Sequence, residues 1–90
     1  MKNLPRRTKY EIWVAILEVC LNSPRHQSWI LRELSLKTNH AKQEIEFLLH
    51  RKLLNEIHNK EDNWPAYQTN LKGKKALTHF YRLISNFFNP

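Results

Sequence analysis

Side chains that can form hydrogen bonds recur along one side of the segment 38–52, TNHAKQEIEFLLHRK. At 100° per residue, a helix over this segment has a continuous apolar face formed by Ala41, Ile45, Leu48 and Leu49. The opposite face carries donors and acceptors suited to base edges, namely Asn39, Lys42, Gln43 and Glu46. Asn and Gln can pair with adenine, Lys with guanine, and Glu can accept a hydrogen bond from the cytosine amino group. A helix with an ordinary solvated face would show the same pattern, so the neighbouring elements must decide.

A shorter helix is predicted just upstream, from Ser28 to Ser35, and only Leu36 and Lys37 separate it from the segment 38–52. Ser28 is a suitable N-cap for it. Two short helices joined by a tight turn, the second with a polar outer face, form the helix-turn-helix pattern. This favours the hypothesis that the segment 38–52 lies in the major groove of DNA.

The charge of the chain agrees with an anionic partner. Its 90 residues carry a formal net charge of +7, and 41% of them are hydrophobic, which is enough for one globular domain. Such an excess of positive charge favours nucleic acid or an acidic membrane surface. No apolar run approaches the roughly 20 residues that a membrane span needs, and no secretory signal follows the first residues. We therefore expect a cytoplasmic, nucleoid-associated protein that does not bind membranes.

The segment before the two short helices divides into an arm and a helix. Residues 1–7 are basic and contain Pro5, so we expect an N-terminal arm, followed by one domain over residues 8–90. Thr8 and Glu11 have the spacing of a capping box, which predicts a helix from there to about Leu21. Because this helix is apolar nearly all round, it must be covered nearly all round.

The segment after residue 52 alternates between apolar and polar residues and predicts a β-hairpin. Leu54 to His58 and Ala66 to Thr69 are the two strands, and the loop 59–65 is rich in turn-forming residues. A last helix is predicted from Leu71 to about Phe88, with an apolar face wider than one core requires.

We predict that this last helix and the outer face of the first form a twofold homodimer, because so short a chain has little material to cover both faces. The alternative is that both faces are buried within one monomer. The predicted interface comprises Trp13, Leu17, Leu77, Phe80, Tyr81, Ile84, Phe87 and Phe88. The DNA backbone would be held by Arg25, Arg32 and Lys37 near the helix-turn-helix, and further out by Lys60, Arg6 and Arg7.

Several short stretches resemble the small archaeal winged-helix DNA-binding proteins, which include dimeric chromatin-associated proteins and predicted transcriptional regulators. These stretches are the opening KYEIWVAILEVC, the helix entry Ser28–Leu31, the pair Leu53 and Leu54, and the set Tyr67, Asn70, Lys72 and Gly73. The resemblance implies a mainly α winged helix-turn-helix with a small β-hairpin. It also implies a homodimer that binds double-stranded DNA, with the final helices of two subunits packed antiparallel. Lys52 departs from the family, because many relatives have Gly there. The last helix is also shorter than in the chromatin-type relatives, so the dimer geometry stays open.

The sequence gives no support for catalysis. The five histidines are scattered over different elements without a metal-ligand spacing, the single cysteine excludes an intrachain disulfide, and the single glycine excludes a Gly-rich phosphate loop. We therefore expect no enzyme, metal, cofactor or small-molecule ligand. The preferred function is a homodimeric transcriptional regulator. The alternatives are a nonspecific architectural DNA-binding protein and a winged-helix module that binds another protein.

Overall fold

The computed structural model describes residues 8–88, which form four α-helices and a three-stranded antiparallel sheet. The predicted arm, with Arg6 and Arg7, lies outside the described residues. The elements are α1 (Lys9–Val19), β1 (Arg25–His26), α2 (Gln27–Glu33), α3 (Thr38–His50), β2 (Leu54–Ile57), β3 (Ala66–Thr69) and α4 (Leu71–Leu83), which continues as a π-helical segment (Ile84–Phe88). The predicted mainly α winged helix-turn-helix is therefore confirmed.

Side-chain caps start the first and last helices where the sequence predicted. The Thr8 hydroxyl accepts from the backbone N–H of Glu11 at 3.2 Å, and the Glu11 carboxylate accepts from the N–H of Thr8 at 2.8 Å. Asn70 caps α4 in the same way, because its side-chain oxygen accepts from the N–H of Gly73 at 2.9 Å. Each cap satisfies a backbone donor that the first helical turn leaves unpaired.

Two residues with left-handed backbones end the helices of the helix-turn-helix. Ser35 has φ 55° after α2, and Lys52 has φ 64° after α3. For a residue with a side chain this conformation costs about 1 kcal/mol, and a Gly at position 52 would avoid that cost. The Lys52 carbonyl accepts from the Asn70 side-chain amide at 2.8 Å, which stabilises this turn.

The sheet has the strand order β1–β3–β2. The predicted hairpin of β2 and β3 is present, with Leu54 opposite Thr69 and Ile57 opposite Ala66. The two-residue β1 pairs with the other edge of β3, so the segment before α2 is part of the sheet. Thr69 also joins the sheet to the end of α1, because its hydroxyl donates to the Leu17 carbonyl at 2.7 Å and its N–H to the Cys20 carbonyl at 3.0 Å.

The core lies between α1, α2, α3 and the sheet, and its largest fully buried side chains are Ile16, Ile30, Ile45, Leu48 and Cys20. Helix α4 approaches it closely at Gly73, where a Cβ atom would overlap the Leu53 carbonyl oxygen and the Thr69 methyl group. None of the helices within residues 8–88 is both long and apolar enough to cross a membrane.

Candidate DNA-binding surface

Helix α3 separates its polar and apolar residues as the sequence predicted. Ala41, Ile45 and Leu48 are buried in the core, whereas the four residues predicted to read bases are all exposed: Asn39, Lys42, Gln43 and Glu46. Their side chains point away from the core contacts that fix the helix. The structure therefore leaves this polar face open to a partner.

Helix α3 is fixed to α1 through a buried carboxylate that the sequence analysis did not single out. Glu44 is only 4% exposed, and its Oε1 accepts from Trp13 Nε1 at 2.7 Å. Its Oε2 lies 3.4 Å from His40 Nε2, one helical turn away. A buried carboxylate needs such partners because burial without them costs several kcal/mol. The signal in the sequence was the spacing: position 44 lies between Ala41 and Leu48 on the apolar stripe.

Aromatic contacts add to the packing between α1 and α3. The Trp13 ring lies parallel to that of Phe47, with ring centroids 4.2 Å apart. Tyr10 meets Trp13 edge-on at 5.4 Å, and the Arg51 guanidinium lies 4.9 Å from the Phe47 ring centroid. Such contacts add about 0.5–1.5 kcal/mol each beyond burial. The orientation of α3 is therefore set by contacts on its rear side.

The predicted backbone contacts occupy different environments. Lys37 is exposed immediately before α3, Arg32 is exposed on α2, and Lys60 is exposed in the hairpin loop. Arg25 is only partly exposed, because its guanidinium stacks 4.0 Å above the Trp29 ring. The same contact covers one face of the Trp29 ring, which is itself partly exposed. Arg32 Nε donates to the Ser28 carbonyl at 3.3 Å.

The loop 58–65 between β2 and β3, the wing loop, is held against β1 by one histidine. His26 Nδ1 lies 3.0 Å from the Pro65 carbonyl oxygen, and His26 Nε2 lies 2.8 Å from Asp62 Oδ2. Asp62 also accepts from the N–H of Trp64 at 3.2 Å, which shapes the turn. The Asp62 carboxylate is therefore paired with His26 and with the backbone of its own loop.

The residues predicted for a dimer interface divide into three groups. Leu17 and Leu77 are each 3% exposed, so they belong to the core of the single chain and we remove them from the predicted contact surface. Trp13 and Phe80 are partly exposed and line an apolar groove of about 190 Å³ between α1, α3 and α4. The others are exposed along the second half of the last helix: Tyr81, Ile84, Phe87 and Phe88.

Two ionisable groups near these surfaces keep their protons in the fold. A hydrogen bond to Glu18, with a smaller effect of burial, raises the pKa of Tyr81 to about 12. Burial raises the pKa of the Cys20 thiol to about 12, although Arg25 opposes the shift. Burial and a raised thiol pKa both disfavour reaction, so Cys20 is a core residue.

The family profile of winged helix-turn-helix proteins matches residues 6–87, which is nearly the whole chain. The chain belongs to the winged helix-turn-helix family. The fold is therefore a DNA-binding one, and the exposed face of α3 occupies the position of its recognition helix. Comparison with the curated proteins finds no significantly similar sequence.

Two solved structures share the fold at low sequence identity. The transcriptional regulator BldR from Sulfolobus solfataricus is 16% identical and superposes with a TM-score of 0.77 over 87% of this chain and 57% of its own. A point mutant of ZitR from Lactococcus lactis is 13% identical, with a TM-score of 0.67 over 97% of this chain and 68% of its own. The chain thus spans little more than half the length of BldR. At these identities the likeness establishes the fold alone.

Proposed function

We propose that this protein is a homodimeric transcriptional regulator that places α3 in the major groove of DNA. The observation that carries the proposal is the exposed row of Asn39, Lys42, Gln43 and Glu46 on a helix whose other face is buried. The structural likeness to BldR, a transcriptional regulator, supports it. Each good base contact would contribute roughly 1–3 kcal/mol of discrimination. The nucleoid would be its place of action.

The acidic Glu46 favours sequence reading over indiscriminate coating of DNA. A carboxylate opposite phosphates costs affinity on every sequence, but it can gain a hydrogen bond from a cytosine amino group. Lys37, Arg32, Lys60 and the partly exposed Arg25 supply the positive charge for backbone contacts, which carry no sequence information. In this arrangement base contacts and backbone contacts come from different residues.

Binding titrations on a selected duplex and on a random duplex, at two salt concentrations, test whether base contacts and backbone contacts come from different residues. Lys42→Ala with Gln43→Ala should lower affinity for the selected duplex about tenfold or more and affinity for the random duplex much less. Lys75→Ala is a control, because it removes one positive charge from an exposed position on α4. Equal losses on both duplexes would favour the architectural alternative, and no binding to either would favour a protein-interaction module.

The proposed dimer rests on the exposed aromatic end of α4. Phe87 is 74% exposed and Phe88 68%, while an apolar groove lies further back along the same helix, beside Ala76 and Phe80. Antiparallel packing of two α4 helices about a twofold axis near Arg82 would bring Phe88 of one copy to Ala76 of the other, and Ile84 of one copy to Phe80 of the other. The surface is therefore self-complementary, as a twofold interface requires.

Sedimentation and cross-linking test this dimer. Phe87→Ser with Phe88→Ser should shift the protein from dimer to monomer at micromolar concentration without unfolding it, because both side chains are exposed. In the proposed register, Ala76→Cys with Phe88→Cys should form intermolecular disulfides, whereas Ala76→Cys with Ser85→Cys should not. A wild-type protein that sediments only as a monomer would rule out the dimer.

A further inference from the structure

A cleft of about 690 Å³ lies between the start of α2, the start of α3 and the wing loop. We infer that it binds an uncharged planar aromatic molecule, and that the bound molecule weakens DNA binding. The second half of this inference rests on the proposed function. Ligand pockets in proteins are typically about 300–1,000 Å³, so the cleft has an ordinary size for a small molecule.

The walls of the cleft favour a flat apolar ligand. Trp64 reaches the cleft from the wing loop, Tyr67 from β3 and Leu31 from α2. Trp64 is 72% exposed, so a large part of its indole ring is available for contact, while Tyr67 is largely buried and fixed in place. Aromatic rings on different elements can take a planar molecule by offset stacking or by edge-to-face contact.

Polar groups at the other side of the cleft can orient such a ligand. Ser28 and Thr38 place hydroxyl groups on it, and Gln27 places an amide on it. Hydroxyl and amide groups both donate and accept hydrogen bonds, and they carry no charge. A few polar groups converging on an apolar pocket is the usual composition of a small-molecule site.

The charges around the cleft decide the class of ligand. Although the chain has a net charge of +7, none of the described residues that line the cleft is Lys or Arg. A phosphate or carboxylate would find no cation there except His26, which already contacts Asp62 at 2.8 Å. A cationic ligand would have to compete with His26 for the same carboxylate. An uncharged molecule meets neither obstacle. The lack of Lys and Arg in the lining also argues against a DNA phosphate as the ligand of the cleft.

The position of the cleft connects its occupancy to DNA binding. Thr38 is the first residue of α3 and directly precedes Asn39, while Trp64 belongs to the wing loop. A molecule bound there would lie between the recognition helix and the wing. It would occupy space beside the base-reading residues and fix the wing loop, whose contact with β1 depends on the exposed His26–Asp62 pair.

The test uses three indole compounds that differ in charge: indole, the anion indole-3-acetate and the cation tryptamine. Titration of ¹⁵N-labelled protein at pH 7 and physiological salt should give saturable amide shifts around Leu31, Trp64 and Tyr67, with indole the tightest of the three. Trp64→Ala should weaken indole about tenfold, because it removes a stacking wall without disturbing the core. Lys60→Ala, in the same loop but outside the lining residues, should leave indole binding unchanged.

A second measurement tests the effect on DNA. Saturating indole should lower affinity for the selected duplex several-fold in the wild type, and Trp64→Ala should need about tenfold more indole for the same effect. Tighter binding of the anion, shifts centred on the groove beside Val14 and Phe80, or no saturable shift would overturn the site. Indole binding without any change in duplex affinity would overturn its regulatory role. If no duplex binds at all, the proposed function fails, whereas the amide shifts still decide whether the site exists.

Discussion

Helix α3 and the wing loop are held in place by contacts of different burial. Helix α3 is held from behind by the buried Glu44, which bonds Trp13, and by the parallel rings of Trp13 and Phe47. The wing loop is held by His26 and Asp62, whose side chains are 40% and 36% exposed. Buried polar contacts are costly to break, whereas exposed ion pairs contribute about 0–1 kcal/mol. Helix α3 is therefore firmly held, and the wing loop can move at little cost.

The largest effect should come from the close approach of α4 to the body of the domain. In Gly73→Ala the new methyl group would overlap the Leu53 carbonyl and Thr69, so we expect a loss of roughly 2–3 kcal/mol in unfolding free energy. Chemical denaturation measures it, and the labelling rate of the buried Cys20 thiol should rise in parallel. Thr78→Ala, at an exposed site on α4, is the control. Equal stability of both variants would contradict the tight packing.

The contact between α1 and α3 can be tested with two glutamate variants on the same helix, one buried and one exposed. Glu44→Ala should lower unfolding free energy by about 1–3 kcal/mol, because it leaves the Trp13 indole N–H without its acceptor. Glu46→Ala, two residues on and exposed, should change it by less than about 0.5 kcal/mol. If the two variants lose equal stability, the buried carboxylate does not fix the helix as described.

The wing should respond differently. Asp62→Ala should change the unfolding free energy by less than about 1 kcal/mol, because the ion pair with His26 is partly exposed. It should nevertheless speed hydrogen exchange at Trp64, whose amide donates to Asp62 at 3.2 Å. Glu61→Ala in the same loop removes an equal charge from an exposed residue and should leave that exchange unchanged. A large loss of stability in Asp62→Ala would show that the wing is as firmly held as α3.

The smallest effect concerns Tyr81, which bonds Glu18 across α1 and α4. Because its pKa is raised from 10 to about 12, the protonated phenol is favoured by the fold. The resulting stability is present below pH 10 and is lost as the pH rises through 12. Tyr81→Phe should remove the phenol that titrates near pH 12 by ultraviolet absorbance. Its cost at pH 7 should be only a fraction of a kcal/mol, because the site is exposed.

The local signals in the sequence predicted the framework well. The Thr8–Glu11 capping box, the Asn70 cap and the alternation on both sides of the wing loop each depend on residues close in the chain. Such local interactions can be predicted from the sequence alone. The open face of α3 followed from its period. The two-residue β1 was missed as a strand, because so short a strand is defined by pairing with β3 rather than by its own pattern.

Contacts between distant residues could not be predicted. His26 and Asp62 are 36 positions apart, and Trp13 and Glu44 are 31 apart, so neither pair has a spacing signal. Leu17 and Leu77 were assigned to the dimer surface because neither the nearly all-round apolar surface of α1 nor the wide apolar face of α4 reveals which side meets the core of the same chain. The cleft was likewise invisible, because it forms only where β1, α2, α3, β3 and the wing loop converge.

Thr69 has a consequence for how the domain opens. Its hydroxyl and its amide close the last carbonyls of α1, so that helix end is completed by a strand some fifty residues later in the chain. Neither the end of α1 nor β3 can fray alone, because the loss of either segment would leave hydrogen-bonding groups of the other without their partners. The amides of these two segments should therefore exchange with solvent as one cooperative unit, and a proteolytic nick there would require the hairpin and the helix to melt together.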